Sequence, residues 1–297
     1  MNRAVVVVNE TAGGGRTQRL WQDLRDDLHR LGLVFDWAPT TGRGTAIDLA
    51  RAAAEGGAPL VVAVGGDGTL NEVVNGATLQ TGPSPAVGVV LTGRGCDAAR
   101  NLGLSTDVRA AARAVVEGVD TRFDLIRAEW PDGARRHVVT AAGAGFDAAV
   151  ARRTATGGGR GALPYLRGIV ATLASHTTTP AEIAIDGVVA WAGKLSTVVV
   201  ANGAFYGGGM KIAPAAHPGD GQLDVVILGD LRRLELLRWL PTVYRGGHLA
   251  NPKIVAHRAR RVSIRGASPL PAHVDGEPAG DTPVTFEVRP GALRLRR

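Results

Sequence analysis

Residues 60–71 read LVVAVGGDGTLN, an apolar run that ends on paired glycines and restarts as a helix-like segment. Five apolar residues bounded by glycine fit a buried strand. Glycines at a strand-to-helix turn let backbone N–H groups approach an anion that side chains would block, and the helix start favours negative charge. Asp67 sits inside the turn, where the metal ion of a nucleotide would lie. Strand, glycine turn, acid and helix together make a place to hold a nucleoside triphosphate.

The surrounding residues repeat this alternation. Residues 4–8, 33–37, 60–64 and 86–91 read as strands, and residues 16–31, 45–54, 70–74 and 108–116 read as helices. Ser105 or Thr106 is the expected cap of the last helix. Strands separated by helices pair in parallel through crossovers. From about residue 122 the texture becomes β-rich, with strand patterns at 122–130, 137–142, 181–192, 195–201, 223–228, 254–265, 272–275, 284–288 and 292–295. Asp186-Gly187 marks a tight hairpin. Helical patches at 163–175 and 231–244 interrupt this pattern. The expectation is an α/β nucleotide-binding domain over 1–121 and a mainly antiparallel β-sandwich or flattened barrel over 122–288. Residues 289–297 are expected to return to the first domain.

Among 297 residues, no apolar stretch reaches the roughly 18 needed to span a bilayer. The start, MNRAVVVVNE, is too short in its apolar part for a secretory signal. One cysteine, Cys96, excludes an internal disulfide and fits a reducing compartment, so the expected location is cytoplasmic. The net charge of +7 favours anionic partners. Nucleic acid is not expected, since 4% aromatic residues give little to stack on bases and no module signature is present.

Two further glycine turns, TTGRG at 40–44 and TGRGC at 92–96, follow predicted strands and fall on the same sheet edge as GGDGT. No lysine precedes Lys194, so this is not the phosphate loop that ends in Lys-Ser/Thr, and phosphate must be held by amides, Thr69 and arginine. In HVDGEPAG, residues 273–280, Asp275 and Glu277 flank a glycine; either they share one space as proton acceptors or they form a surface turn. Asp220-Gly221, with His217 upstream, is either a β-turn or a cage for a hard cation.

GGDGTLNEVVNG, the block ANGAFYGGGMKIAPAAHPGDGQLDVVIL at 201–228 and the DGE triplet, in this order, resemble the diacylglycerol kinase catalytic-domain family, which spans bacterial lipid kinases, sphingosine kinases and ceramide kinases. The likeness runs over nearly the whole chain, from Val5 to about Val288. It implies a nucleotide domain of NAD kinase-like fold, a β-rich lipid domain and a site in the cleft between them. It implies ATP contacts at Asn9, Thr40, Gly65, Gly66, Asp67, Gly68, Thr69, Leu70, Asn71 and Glu72. It makes Glu277 the proton acceptor with Asp275 as partner, and it places a structural Mg²⁺ at His217, Asp220 and Gln222, the first and last through backbone oxygens.

One segment departs from the family. Residues 91–100 read LTGRGCDAAR where the family carries a threonine and an asparagine at the positions of Arg94 and Cys96. Arg94 either clamps phosphate or crowds the nucleoside. The resemblance implies transfer of the γ-phosphoryl group of ATP, with Mg²⁺, to a lipid hydroxyl. The rivals are a soluble-acceptor kinase of the NAD kinase type and a non-catalytic nucleotide- or lipid-binding protein. The arginine- and leucine-rich stretch 231–245, with 257–265, is expected to dock on an anionic membrane surface as a peripheral contact. A homodimer stays open.

Overall fold

The computed structural model describes residues 3–78, 82–93, 95–156 and 162–297. The chain forms two compact units, Met1–Leu125 with Pro290–Arg297, and Ile126–Arg289.

The first unit contains β1 (Ala4–Val8), α1 (Ala12–Arg30), β2 (Phe35–Pro39), α2 (Thr45–Glu55), β3 (Leu60–Gly65), α3 (Asp67–Thr78), β4 (Ala86–Leu91), α4 (Asp97–Leu102), α5 (Val108–Glu117) and the opening of β5 (Asp120–Glu129). Its strands run in the order β2-β1-β3-β4, all parallel. β3 and β4 are buried at every position, as strands covered by helices on both faces must be. Val6, Val8, Val62 and Val64 pack against Trp21, Leu24 and Leu28 of α1 and Val115 of α5. β2 begins two residues later than its sequence pattern suggests. Gly32 adopts φ +91° and the Leu33 N–H still donates to the Leu28 carbonyl, so residue 33 belongs to the close of α1. The cap of α5 is Asp107, whose Oδ1 accepts from the Ala110 N–H at 2.8 Å, in place of Ser105 or Thr106.

The second unit takes the end of β5, then β6 (Arg135–Val138), β7 (Ala141–Gly145), α6 (Phe146–Thr156), α7 (Ala162–Ser175), β8 (Thr179–Ile185), β9 (Val188–Leu195), β10 (Thr197–Ala201), β11 (Leu223–Leu228), α8 (Arg233–Val243), β12 (Ile254–Ala259), β13 (Arg261–Gly266), β14 (Pro271–Val274), β15 (Glu277–Asp281) and the start of β16 (Val284–Arg296). One antiparallel sheet runs β12-β11-β10-β7-β14-β15, and β16, β13, β8 and β9 pair antiparallel in a second layer. Val198, Val200, Val225 and Ile227 of one layer pack with Ile183, Val262, Ile264 and Phe286 of the other. This is the expected α/β unit followed by an antiparallel β unit.

Two strand patterns split. Residues 254–265 turn a corner at Arg260, where Asp186 Oδ1 accepts from the N–H groups of Arg260 and Arg261 at 3.0 and 2.8 Å. Residues 137–142 divide into β6 and β7 around three N–H groups that a distant carboxylate collects. Among the described residues no helix is long and apolar enough to cross a membrane.

Candidate functional site

The register places the carboxyl ends of the first unit's strands along one edge, with Val8 beside Pro39 and Val64, and Gly65 beside Leu91. β2 and β3 leave on opposite sides of β1, so the switch point where open α/β sheets bind ligands lies between β1 and β3. Asn9 follows β1 and the GGDGT turn follows β3. They are joined by a hydrogen bond from Asn9 Nδ2 to Thr69 Oγ1 at 3.0 Å. Thr40 closes β2, with its N–H on the Val8 carbonyl at 2.9 Å.

The glycines of this edge are there for space. A Cβ on Gly65 would overlap the Thr69 side chain, and one on Gly93 would sit 3.0 Å from Gly66 Cα. The turns after β3 and β4 therefore touch backbone to backbone. α3 begins in the turn itself, with the Leu70 N–H on the Gly66 carbonyl at 3.1 Å. The first N–H groups of a helix have no intrahelical acceptor, and here they belong to Gly68 and Thr69 and their neighbours. Asp67 Oδ2 accepts from the Asp97 N–H at 3.1 Å, and a Cβ on Gly95 would come within 3.2 Å of the same oxygen. A half-buried carboxylate in a cradle kept open by glycine suits a divalent cation.

Three residues given nucleotide contacts by the resemblance are engaged elsewhere. Leu70 is in the core at 1% exposure. Asn71 is buried, and its carbonyl and Oδ1 accept from Asn75 Nδ2. Glu72 holds the start of α2, its two oxygens accepting from the Gly44 and Ala46 N–H groups at 3.0 and 3.2 Å. Glu72 thus fixes the TTGRG turn. Arg94 lies outside the described residues. Cys96 adopts φ +48° and its Sγ–H donates to the Gly93 carbonyl at 3.3 Å. Burial and then the nearby Asp67 charge push its thiol up, so it stays neutral.

The residues after Asn9 add a feature that strand and helix periods do not reveal. Gly13, Gly14 and Gly15 take φ +62°, +71° and +82°, and a Cβ on Gly13 would lie 2.7 Å from the Thr92 carbonyl. A run of three left-handed residues is open only to glycine. Its signal in the sequence is the glycine triplet five residues past the strand 4–8.

In the second unit, Asp275 and Gly276 are the central pair of a hairpin turn between β14 and β15, at φ +46° and +79°. Glu277 is half-buried at the start of β15. The pairing of Asp275 with Glu277 as proton acceptors needs correction. Asp275 Oδ2 accepts from the Val139 N–H at 2.7 Å. Its Oδ1 accepts from the Thr140 N–H and Oγ and the Ala141 N–H at 2.8, 2.6 and 3.2 Å. These four hydrogen bonds make Asp275 a structural group. Asp275 pins the β6–β7 connection to the turn.

Beneath this turn lies a pair that the spacing does not reveal. His273, at 1% exposure, shares a 2.9 Å hydrogen bond between its Nε2 and Asp147 Oδ2. Its Nδ1 accepts from the Gly276 N–H at 3.3 Å, which leaves the proton on Nε2. Asp147 also accepts from Thr197 Oγ at 2.5 Å and from the Ala148 N–H. Burial opposes its ionisation. The attraction of His273 and these hydrogen bonds outweigh burial and hold the carboxyl below its usual range. Gly143 of β7 makes room, because a Cβ there would lie 3.1 Å from Asp147 Oδ2 and 3.2 Å from His273 Nε2.

Asp147 also forms part of the wall of a cavity enclosing about 800 Å³ of non-atom space, open solvent included. The other walls are overwhelmingly apolar, among them Val199, Leu228, Leu231, Leu236 and Leu240.

The loop at 217–222 is built as an ion-paired turn. Asp220 Oδ1 accepts from the Gln222 N–H at 3.0 Å, its Oδ2 pairs with Arg258, and the His217 carbonyl accepts from the Gly219 N–H. A cation held by Asp220 with the His217 and Gln222 backbone oxygens would share the carboxylate with Arg258. The arginines of 257–265 are likewise partly spent, with Arg261 on Glu287 at 3.5 Å.

Comparison with known proteins agrees with this layout. Residues 3–128 match the diacylglycerol kinase catalytic domain, and residues 140–297 match the YegS C-terminal NAD kinase beta sandwich-like domain. A diacylglycerol kinase of Mycobacterium tuberculosis is 31% identical, over 84% of this chain and 80% of its own. One from Bacillus subtilis is 30% identical, over 96% and 93%. The solved structure of a diacylglycerol kinase from Bacillus anthracis superposes with a TM-score of 0.74 at 19% identity, over 99% and 96%. That of an Archaeoglobus fulgidus NAD kinase in complex with ATP gives 0.55 at 14%, over 100% and 94%.

Proposed function

The chain belongs to the diacylglycerol kinase family, and on that premise we propose that it moves the γ-phosphoryl group of ATP to a hydroxyl of a diacylglycerol-type lipid. Kinase membership implies ATP use. The observation that favours a lipid acceptor over a soluble one is the apolar cavity of the second unit. NAD would leave such walls uncompensated, whereas acyl chains match them.

In this reading the amides at the start of α3, with Gly66 and Gly68, hold phosphate oxygens, and Asn9 keeps Thr69 in place. Mg²⁺ on the triphosphate would supply charge neutralisation, and Asp67 is the carboxylate that fits it. Glu277 accepts the proton of the lipid hydroxyl. Asp275, through its donors, and His273, through the Gly276 N–H, position the turn that carries Glu277.

The test is transfer of labelled phosphate from ATP by the purified chain with Mg²⁺, offered diacylglycerol in mixed micelles or NAD. Label is expected in the organic extract. Glu277→Gln should lower kcat roughly 10²- to 10⁴-fold with ATP affinity unchanged. Asp275→Asn should lower the melting temperature first. Label on NAD and none in lipid would overturn the acceptor, and a Glu277→Gln enzyme of wild-type rate would overturn the base.

A further inference from the structure

A surface helix normally hides one apolar face, but α8 is apolar on two. Leu236, Trp239, Leu240 and Val243 line the cavity from the inner side. On the outer side Leu234 is 80% exposed and Tyr244 54% exposed, and Leu237, which also reaches the cavity wall, keeps 54% of its surface exposed. With exposed Pro241 these residues recur at intervals of three, four and three, which sets them in one stripe along the helix and its cap.

The charges beside the stripe have one sign. Arg232, Arg233, Arg238 and Arg245 are all exposed. Arg233 gives its Nε–H to the His176 carbonyl at 3.1 Å, and Arg238 and Arg245 make no ion pair among the described residues. The one acid of the helix, Glu235, is occupied by Lys253 at 2.7 Å and by the Arg232 N–H at 2.8 Å. Exposed leucine and tyrosine fringed by unopposed arginine match the boundary between acyl chains and anionic headgroups. A neutral protein partner would leave the arginines without counter-charge.

We propose that the outer face of α8 docks on an anionic lipid leaflet, so that the helix lies in the membrane interface with the lipid cavity directly behind it. Docking stands on this surface alone. Its use, delivering the acceptor from the bilayer to the cavity, rests on the lipid-kinase reading above.

The experiment uses the full chain and phosphatidylcholine vesicles with and without phosphatidylglycerol, read by flotation. Wild type should float with the anionic vesicles. Leu234→Glu with Tyr244→Glu should weaken that binding about tenfold or more, as should Arg238→Glu with Arg245→Glu. Val188→Glu, which changes a residue 71% exposed on β9, should not weaken it. The Leu234/Tyr244 variant should also lose phosphorylation of vesicle-embedded diacylglycerol and keep that of a short-chain, water-soluble one. Vesicle binding equal in all variants, or equal without phosphatidylglycerol, overturns the docking surface. So does an oligomer in sedimentation velocity that the Leu234/Tyr244 variant dissolves while vesicle binding is kept, because the stripe then belongs to a second copy. Wild type that floats but phosphorylates neither lipid sinks the kinase reading and leaves the docking standing.

Discussion

At the scale of single residues, what matters is which polar groups are already committed. The acids in GGDGTLNE and HVDGE look equivalent in sequence. In the fold they differ: Glu72 caps α2, Asp275 binds four donors and Glu277 begins a strand half-buried. His137 offers a pH-dependent consequence. Burial, followed by the charges of Arg289 and Arg127, lowers its pKa from 6.5 to about 4. Between those values the unfolded chain takes up a proton that the folded chain refuses. The stability is therefore complete above the unfolded value and declines as pH falls toward the folded one, by about 3 kcal/mol across the window. Urea unfolding at about pH 7 and about pH 5 should show the decline, and His137→Gln should make it shallower. It should not vanish, since His176 and His248 are also lowered by burial. An unchanged slope in the variant would remove His137 as its source.

At the scale of elements, helices of the first unit are set by close backbone approach. Gly76 of α3 faces α2, where a Cβ would lie 2.8 Å from Ala50 Cβ and 2.9 Å from the Arg51 nitrogen. Gly76→Ala raises helix propensity yet should destabilise by about 1–3 kcal/mol, because overpacking exceeds the propensity gain. Calorimetry showing a higher melting temperature would mean α2 can yield. The same contact surface bears Glu72, so a shift of α2 would also move the TTGRG turn. Local pattern gave β1, β3, β4 and α2 nearly to the residue, since burial on both faces or one stripe leaves a plain period. It missed α4 and α6, short helices whose starts are held by tertiary contacts such as Asp67 on the Asp97 N–H and Thr197 on Asp147.

At the scale of the molecule, the tail of the chain finishes the fold of its beginning. Leu293 and Leu295 are fully buried in the first unit, Leu295 beside Val87, and Arg297 and Val119 exchange backbone hydrogen bonds at 2.9 and 3.1 Å. Removing residues 290–297 should cost roughly 3–6 kcal/mol for the two leucines alone, a large share of a domain's stability. The truncated chain should melt earlier and bind ATP weakly, although no phosphate-holding residue has been deleted. Wild-type ATP affinity in that chain would show that the first unit stands without its last strand. The sequence by itself determined the parallel α/β half, the antiparallel half and the glycine-lined edge. Those features depend on period, on turn chemistry and on residues that lack side chains, all of which are local. Only the tertiary structure decided that Asp147 and His273 meet under the DGE turn, that Arg258 takes Asp220, and that α8 keeps an apolar face uncovered. Each of these joins groups far apart along the chain, and their partners are chosen by burial and by competition for donors, which leave no period to read.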